Sequence, residues 1–157
     1  MTDAHSDDGA ALKLHGARRL TIQAWDALKA SNGSVVLISG SAALDPKPGF
    51  AAVAAINAAI IALAKAFAEQ GIKDGVQVNS VVRCSNDWTQ AIVLREMGTC
   101  SQSHGGRGDQ EISGGPVLLV LVNRKRLRTC WAYVVSPVAK WMTGASLRMD
   151  GGEIKGI

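Results

Sequence analysis

The sequence predicts an α/β domain built on a parallel β-sheet, and three observations support this fold class. A short run rich in β-branched residues at 35–39 predicts a buried strand. A long alanine-rich segment at 50–70 predicts a helix, and residues 76–82 predict a second strand. Because a strand, a helix and a strand in this order form a βαβ unit, the two strands should run parallel with a right-handed crossover.

Other segments extend this pattern toward both ends of the chain. Residues 10–30 place apolar side chains at roughly helical spacing, and the following SNGS run ends that helix. Two prolines mark 40–49 as a loop, and Gly71 is the predicted C-cap of the long helix. Residues 132–150 predict a short helix, a loop and a last strand that ends at Asp150.

Length and composition indicate one domain with a hydrophobic core. The chain has 157 residues, of which 47% are hydrophobic, and this is enough for a single core. We therefore treat residues 1–157 as one domain. The acidic, polar N-terminus does not resemble a signal peptide, and no run reaches the ~20 apolar residues of a membrane span. We expect a cytoplasmic protein with no membrane contact.

The formal charge of +4 would suit an acidic partner, but the excess is local. Residues 83–131 hold seven basic and four acidic side chains, which accounts for most of it. We expect no nucleic-acid contact through the RKRLR run of this stretch, because it is an isolated basic run. The HGGRGDQ run is not a phosphate loop, since it lacks a GK[ST] ending and a preceding strand.

The cysteines and histidines offer no metal site. The three cysteines are spaced 16 and 30 residues apart, so no CxxC pair exists and reduced thiols are expected at Cys84, Cys100 and Cys130. No histidine has a partner at metal-ligand spacing, and ordinary surface positions are expected for His5, His15 and His104.

Four segments resemble the short-chain dehydrogenase/reductase family, a group of Rossmann-fold oxidoreductases that use NAD or NADP. They are GSVVLISGSAA (33–43), PGFAAVAAINAAI (48–60), GVQVNSVV (75–82) and MTGASLRMDGG (142–152). The resemblance covers residues 10–82 and 132–155 in the family's order and spacing. It implies a partial Rossmann-like, doubly wound sheet that lacks the N-terminal dinucleotide-binding half, because no glycine-rich loop follows a first strand.

The family's four catalytic positions carry other residues here. The resemblance places Val53 at the position of the general acid/base tyrosine and Asn57 at that of the lysine four residues later. Gly40 stands at the serine position, and Lys13 stands at the position of the family's helix asparagine. Valine cannot carry a proton, and asparagine brings no charge. Because a positioned proton donor contributes about 10²–10⁴-fold, we expect no family chemistry. The single tyrosine, Tyr133, is expected to be a packing residue.

Neighbouring groups offer partial substitutes for the lost residues. Ser39 and Ser41 flank the serine position, and either could point into the cleft after a small shift. By the resemblance, Asn57 and Val82 are the positions that would contact NAD or NADP, and an asparagine can hydrogen-bond a ribose hydroxyl. The alternative is purely structural: Val53 packs on the sheet, and Asn57 caps a backbone group or faces solvent.

Residues 83–131 have about the length of the family's intervening segment but not its sequence. Permitted codons for residues 83–99 and 117–130 encode family-like strings when they are read one and two bases later. We therefore hypothesise small insertions or deletions in the gene near residues 82, 115 and 131.

Two functions follow as expectations. The resemblance implies NAD(P)-dependent oxidation or reduction of an alcohol or carbonyl, with an unidentified small-molecule substrate, as an inherited activity that this chain has lost. The alternative is a non-catalytic assembly module. Helices 10–30 and 50–70 match those that form the family's subunit interface, so their small side chains would support a homo-oligomer. An unpaired edge of strand 35–39 would also favour association.

Overall fold

Parallel strands form the sheet of this protein, and helices pack on it. The computed structural model describes residues 3–83, 124–152 and 154–155. Within these residues, the strands are β1 (Ser34–Gly40), β2 (Gln77–Arg83) and β3 (Ser146–Met149). Their order in the sheet is β1-β2-β3, and both neighbouring pairs are parallel. The predicted α/β class with a parallel sheet is confirmed.

Strand β2 is the central strand, and β1 lies at one edge of the described sheet. Ser34 is opposite Gln77 and Gly40 is opposite Arg83, so the carboxyl ends of β1 and β2 are level. The first six residues of β2 are buried, as expected for a strand that is covered on both faces. Among the described residues, no strand pairs with the outer edge of β1.

The N-terminal helical region is longer and less regular than the single helix predicted at 10–30. It begins at Asp3 and ends at Ser31, where Asn32 adopts a left-handed conformation with φ of 48°. Asparagine tolerates that conformation better than most residues, and this explains the stop at SNGS. The region is divided into α1 (Asp3–Gly9), a π-helical segment (Ala10–His15), α2 (Gly16–Gln23) and α3 (Trp25–Ser31).

The long helix α4 comprises Ala51–Asp74, so the predicted C-cap at Gly71 is wrong. The helix ends at Gly75, which has φ of 75°. Gly71 has a different purpose: a Cβ atom there would lie 2.1 Å from the carbonyl oxygen of Val76. The glycine therefore permits a close approach of the helix to the chain that enters β2.

Helix α4 contacts both β1 and β2 and supplies half of the hydrophobic core. Its apolar side chains Ile60, Ala64 and Ala68 are buried with residues from the strands. Trp25 from α3 stacks on Phe67 of α4, with ring centroids 5.6 Å apart. The core lies between the sheet and the helical layer of α2, α3 and α4.

By length and composition, the segment Pro48–Asp74 could cross a membrane: it has 27 residues, and an 18-residue window within it reaches a mean hydropathy of 2.0. The expectation that no segment would qualify is therefore wrong, because Asn57 and Lys65 interrupt the apolar run but barely lower its average. A core helix of a soluble protein passes the same test, and the buried face of α4 packs on the sheet.

The C-terminal region returns to the sheet through polar side chains of β2. Its helix, α5, is Arg124–Val134, so it begins before residue 132, where family-like sequence was expected to resume. The Nε2 atom of Gln77 donates to the carbonyl oxygens of Ala139 and Met142, at 2.7 and 2.9 Å. The Asn79 side chain donates to Met142 and accepts from the backbone N–H of Ala145. These bonds explain two buried polar residues in the central strand.

Residues 84–123 lie outside the described part of the chain. Most of the hypothesised frame changes, the HGGRGDQ run, Cys84 and Cys100 belong to this stretch, as does His104. These remain predictions.

A carboxylate joins α3 to the end of α4. Asp74 accepts hydrogen bonds from Trp25 Nε1 at 2.9 Å, Lys29 Nζ at 2.9 Å and Gln70 Nε2 at 2.8 Å. These bonds, led by the one from Gln70, hold the pKa of Asp74 well below its ordinary value. An aspartate at a helix C-terminus is normally unfavourable because of the helix dipole, so the three donors offset that cost.

We expect Asp74→Asn to lower the thermal midpoint at neutral pH, because the ionised carboxylate loses its charged partner. The Asp74 pKa is depressed in the folded state, so its contribution is complete above the unfolded value of 3.8 and is lost as the pH falls below it. Thermal melts from pH 7 to pH 2 should show a flatter acid limb in Asp74→Asn than in the parent. Asp26→Asn, on the exposed part of α3, is the matched control and should reproduce the parent profile.

Candidate functional site

The candidate site lies at the carboxyl ends of β1 and β2, the edge where open parallel sheets commonly bind ligands. The end of β1 supplies Ser39 and Gly40, and the end of β2 supplies Val82 and Arg83. Ser39 and Val82 are register partners, and both are 0% exposed. Helix α4 and the π-helical segment bring further side chains to this edge.

The serines of this edge are buried. The Oγ atom of Ser39 donates to the backbone carbonyl oxygen of Asn57 at 2.8 Å, so this hydroxyl ties β1 to α4. Ser41 lies in a short 3₁₀ turn and is 5% exposed. The proton of Ser39 is thus committed to a structural bond.

Gly40 and Asn57 fit against each other. A Cβ atom at Gly40 would lie 3.0 Å from Nδ2 of Asn57, closer than ordinary van der Waals contact. The Asn57 side chain is only 3% exposed, so it has little room to move aside. The amide of Asn57 therefore occupies the space that a side chain at position 40 would need, and the family's serine is incompatible with this arrangement.

Lys13 completes the cluster. Its Nζ atom donates a hydrogen bond to Oδ1 of Asn57, across 44 positions of sequence. Burial lowers the pKa of Lys13, and the positive charge of Arg83 lowers it further. The expectation that Asn57 caps a backbone group or faces solvent is therefore wrong. The structure joins Lys13, Gly40, Asn57 and Ser39 into one cluster.

No proton-transferring side chain stands at the tyrosine position. Val53 lies one turn before Asn57 on α4 and is half-buried. The chain's single tyrosine, Tyr133, is 51% exposed on α5, so it is not the packing residue that the sequence suggested. The described part of the chain contains no cluster of three or more His, Cys, Asp or Glu that could hold a metal.

A cleft of about 590 Å³ runs along the outer edge of β1 and reaches this cluster. Lys13 and Arg83 line it, and the remaining lining is mainly apolar, with side chains from α2, α3 and β1 that include Leu20, Leu28, Val36 and Ile38. The sequence analysis counted Arg83 only as a charge. It also treated Lys13 and Asn57 separately, although their joint exchange against the family pattern is the signal of a contact.

Comparison with known proteins places the chain in a family. A family model described as Enoyl-(Acyl carrier protein) reductase matches residues 1–153, and this span includes residues 83–131. The chain belongs to the short-chain dehydrogenase/reductase family. No curated protein sequence matches it significantly.

Solved structures of this family share the fold. A 4-hydroxyisoleucine dehydrogenase complexed with NADH and succinate aligns with a TM-score of 0.70 and 21% identity, covering 99% of this chain and 61% of its own. A 3-ketoacyl-(acyl-carrier-protein) reductase from Brucella melitensis, complexed with NADH, has a TM-score of 0.73, 16% identity and coverages of 97% and 59%. A short-chain oxidoreductase from Brucella ovis gives 0.65, 19%, 95% and 56%. The chain therefore spans less than two thirds of the length of these structures.

The described residues do not fit a complete nicotinamide dinucleotide. Its pyrophosphate needs a glycine-rich turn between a strand and a helix N-terminus. Within residues 3–83, the one strand that leads into a helix is β1, and it is followed by a 3₁₀ turn and a loop with two prolines. At the ribose-contacting position, the Asn57 oxygen already accepts the Lys13 amine.

A charge-exchange experiment tests the cluster. Asn57→Lys alone places a second amine beside Lys13 and Arg83, and we expect a loss of about 1 kcal/mol or more in the free energy of unfolding. Lys13→Asn combined with Asn57→Lys restores one cation and one amide, so the double variant should be more stable than Asn57→Lys alone. Urea unfolding of both single variants and the double variant gives the coupling energy, expected at about 0.5–3 kcal/mol. Additive losses would contradict the contact.

Proposed function

We propose that this chain is a short-chain dehydrogenase/reductase relative that has lost its family's carbonyl chemistry. The inherited activity is NAD(P)-dependent oxidation or reduction of an alcohol or carbonyl. The observation that carries the proposal is the cluster of Lys13 with Asn57, beside Val53. The phenol needed for proton transfer is replaced by an alkyl group, and the amine has moved to another element and is hydrogen-bonded there.

Two further observations support the loss of activity. The family's serine position cannot accept a side chain without displacing Asn57, so the cluster resists a single-step reversion at Gly40. The described residues also lack a cradle for the pyrophosphate, on which NADH binding depends. Loss of a general acid alone costs about 10²–10⁴-fold, and weak cofactor binding would add to that loss.

Cofactor titration tests this proposal. We expect no saturable rise in the thermal midpoint with NADH or NADPH, because a ligand stabilises a protein only when it binds the native state. Mixing the protein with either cofactor and a panel of ketones and aldehydes should leave the nicotinamide absorbance at 340 nm, the usual assay wavelength on the order of hundreds of nanometres, unchanged. A saturable shift with stoichiometric consumption of reduced cofactor would refute the proposal.

A second function, a non-catalytic assembly module, rests on the outer face of α4. Five exposed alanines lie on this face at helical spacing: Ala51, Ala55, Ala58, Ala62 and Ala66. Small side chains allow the backbones of two helices to approach closely. The N-terminal helical region also exposes Leu12 at 82% and Leu20 at 72%. We propose that two copies associate through these helices into a homo-oligomer.

Light scattering of the purified chain tests the assembly function. We expect a defined dimer or tetramer, and Ala58→Glu should convert it to monomer because it buries a charge between the helices. Ala132→Glu, on the exposed part of α5, introduces the same charge and should leave the assembly intact. A monomeric parent would exclude this function. Association that survives Ala58→Glu but is lost in Ile38→Lys would place the contact on the edge of β1.

A further inference from the structure

The Lys13 amine lies at one end of an apolar cleft. The cleft volume of about 590 Å³ is large enough for a small organic molecule. Leu20, Leu28, Val36 and Ile38 are part of its wall, and the described lining contains no aspartate or glutamate. Lys13 and Arg83 are its only charged lining residues among those the structure describes.

The surroundings of Lys13 favour the free amine over the ammonium ion. Burial lowers the pKa of Lys13 most, and the charge of Arg83 on β2 lowers it further. The group that faces the amine from α4 is the neutral amide of Asn57, which accepts its hydrogen bond without supplying a negative charge. Burial and a neighbouring cation are the two conditions that make a lysine nucleophilic near neutral pH.

We propose that Lys13 is a carbonyl-reactive nucleophile, and that the cleft beside β1 admits a small apolar aldehyde or ketone. The unprotonated Nζ attacks the carbonyl carbon and forms a C–N bond, while the carbonyl oxygen takes up a proton. Loss of water from this carbinolamine then forms the imine. One amine and one carbonyl compound thus give one imine and one water, and no oxidant or reductant is consumed.

Asn57 acts as a positioning residue in this reaction. Its Oδ1 atom holds the amine at the end of the cleft, and its lack of charge leaves the lysine without a counter-ion. A carboxylate at the same place would favour the ammonium form and suppress attack. The reaction uses no nicotinamide cofactor, so it goes beyond the proposed function and can be tested separately from it.

Reductive trapping tests the proposal on the intact chain. The protein is incubated with hexanal and sodium cyanoborohydride at pH 7, and peptide mass spectrometry measures the rate of alkylation at each lysine. We expect Lys13 to react at least about ten times faster than the exposed Lys47, Lys65 and Lys140, since one pKa unit changes the fraction of free amine about tenfold. Equal rates at all four lysines would overturn the proposal.

Asn57→Asp is the matched variant, because it changes an amide to a carboxylate of the same shape. We expect alkylation of Lys13 to slow about tenfold while the three reference lysines keep their rates. An unchanged rate at Lys13 in a folded Asn57→Asp protein would contradict the proposal. If the variant does not fold, the parent decides: alkylation of Lys13 must persist to lower pH than alkylation of Lys65. Matching pH profiles would refute the nucleophile.

Discussion

The packing of α4 across β1 and β2 is the constraint on which the rest of the structure depends. It requires a glycine at position 71, where the helix passes the carbonyl oxygen of Val76, and small side chains along the buried face. A helix held this closely fixes the height of Asn57 relative to the end of β1. The site is thus determined by backbone approach, and its side chains respond to a spacing that is already set.

Within that spacing, the residues of the cluster depend on one another. A side chain at Gly40 would collide with the Asn57 amide, and the Asn57 oxygen requires a donor such as Lys13 because it is buried. A change at any one of these positions alone leaves either a collision or an unpaired polar group. The exchange of lysine and asparagine relative to the family pattern is therefore best described as one coordinated replacement, rather than as separate losses.

The sequence predicted β1, α4 and β2 closely because each has one dominant period and clear boundaries. It failed at Gly71, since a glycine that permits close packing has the same local signature as a helix cap. The division of residues 3–31 into four helical parts was not predictable from apolar spacing. The Lys13–Asn57 contact was missed because neither position indicates its partner 44 residues away; the family pattern supplied the only link between them.

The same exchange that removes one chemistry creates the conditions for another. In the family's arrangement, as the resemblance implies it, the lysine assists a neighbouring tyrosine; here the amine has no phenol beside it and faces an apolar cleft. A lysine in that position is either a cost in stability or a reactive group. Because replacing a half-buried ammonium by a neutral residue is chemically simple, its presence beside Arg83 argues for the reactive group.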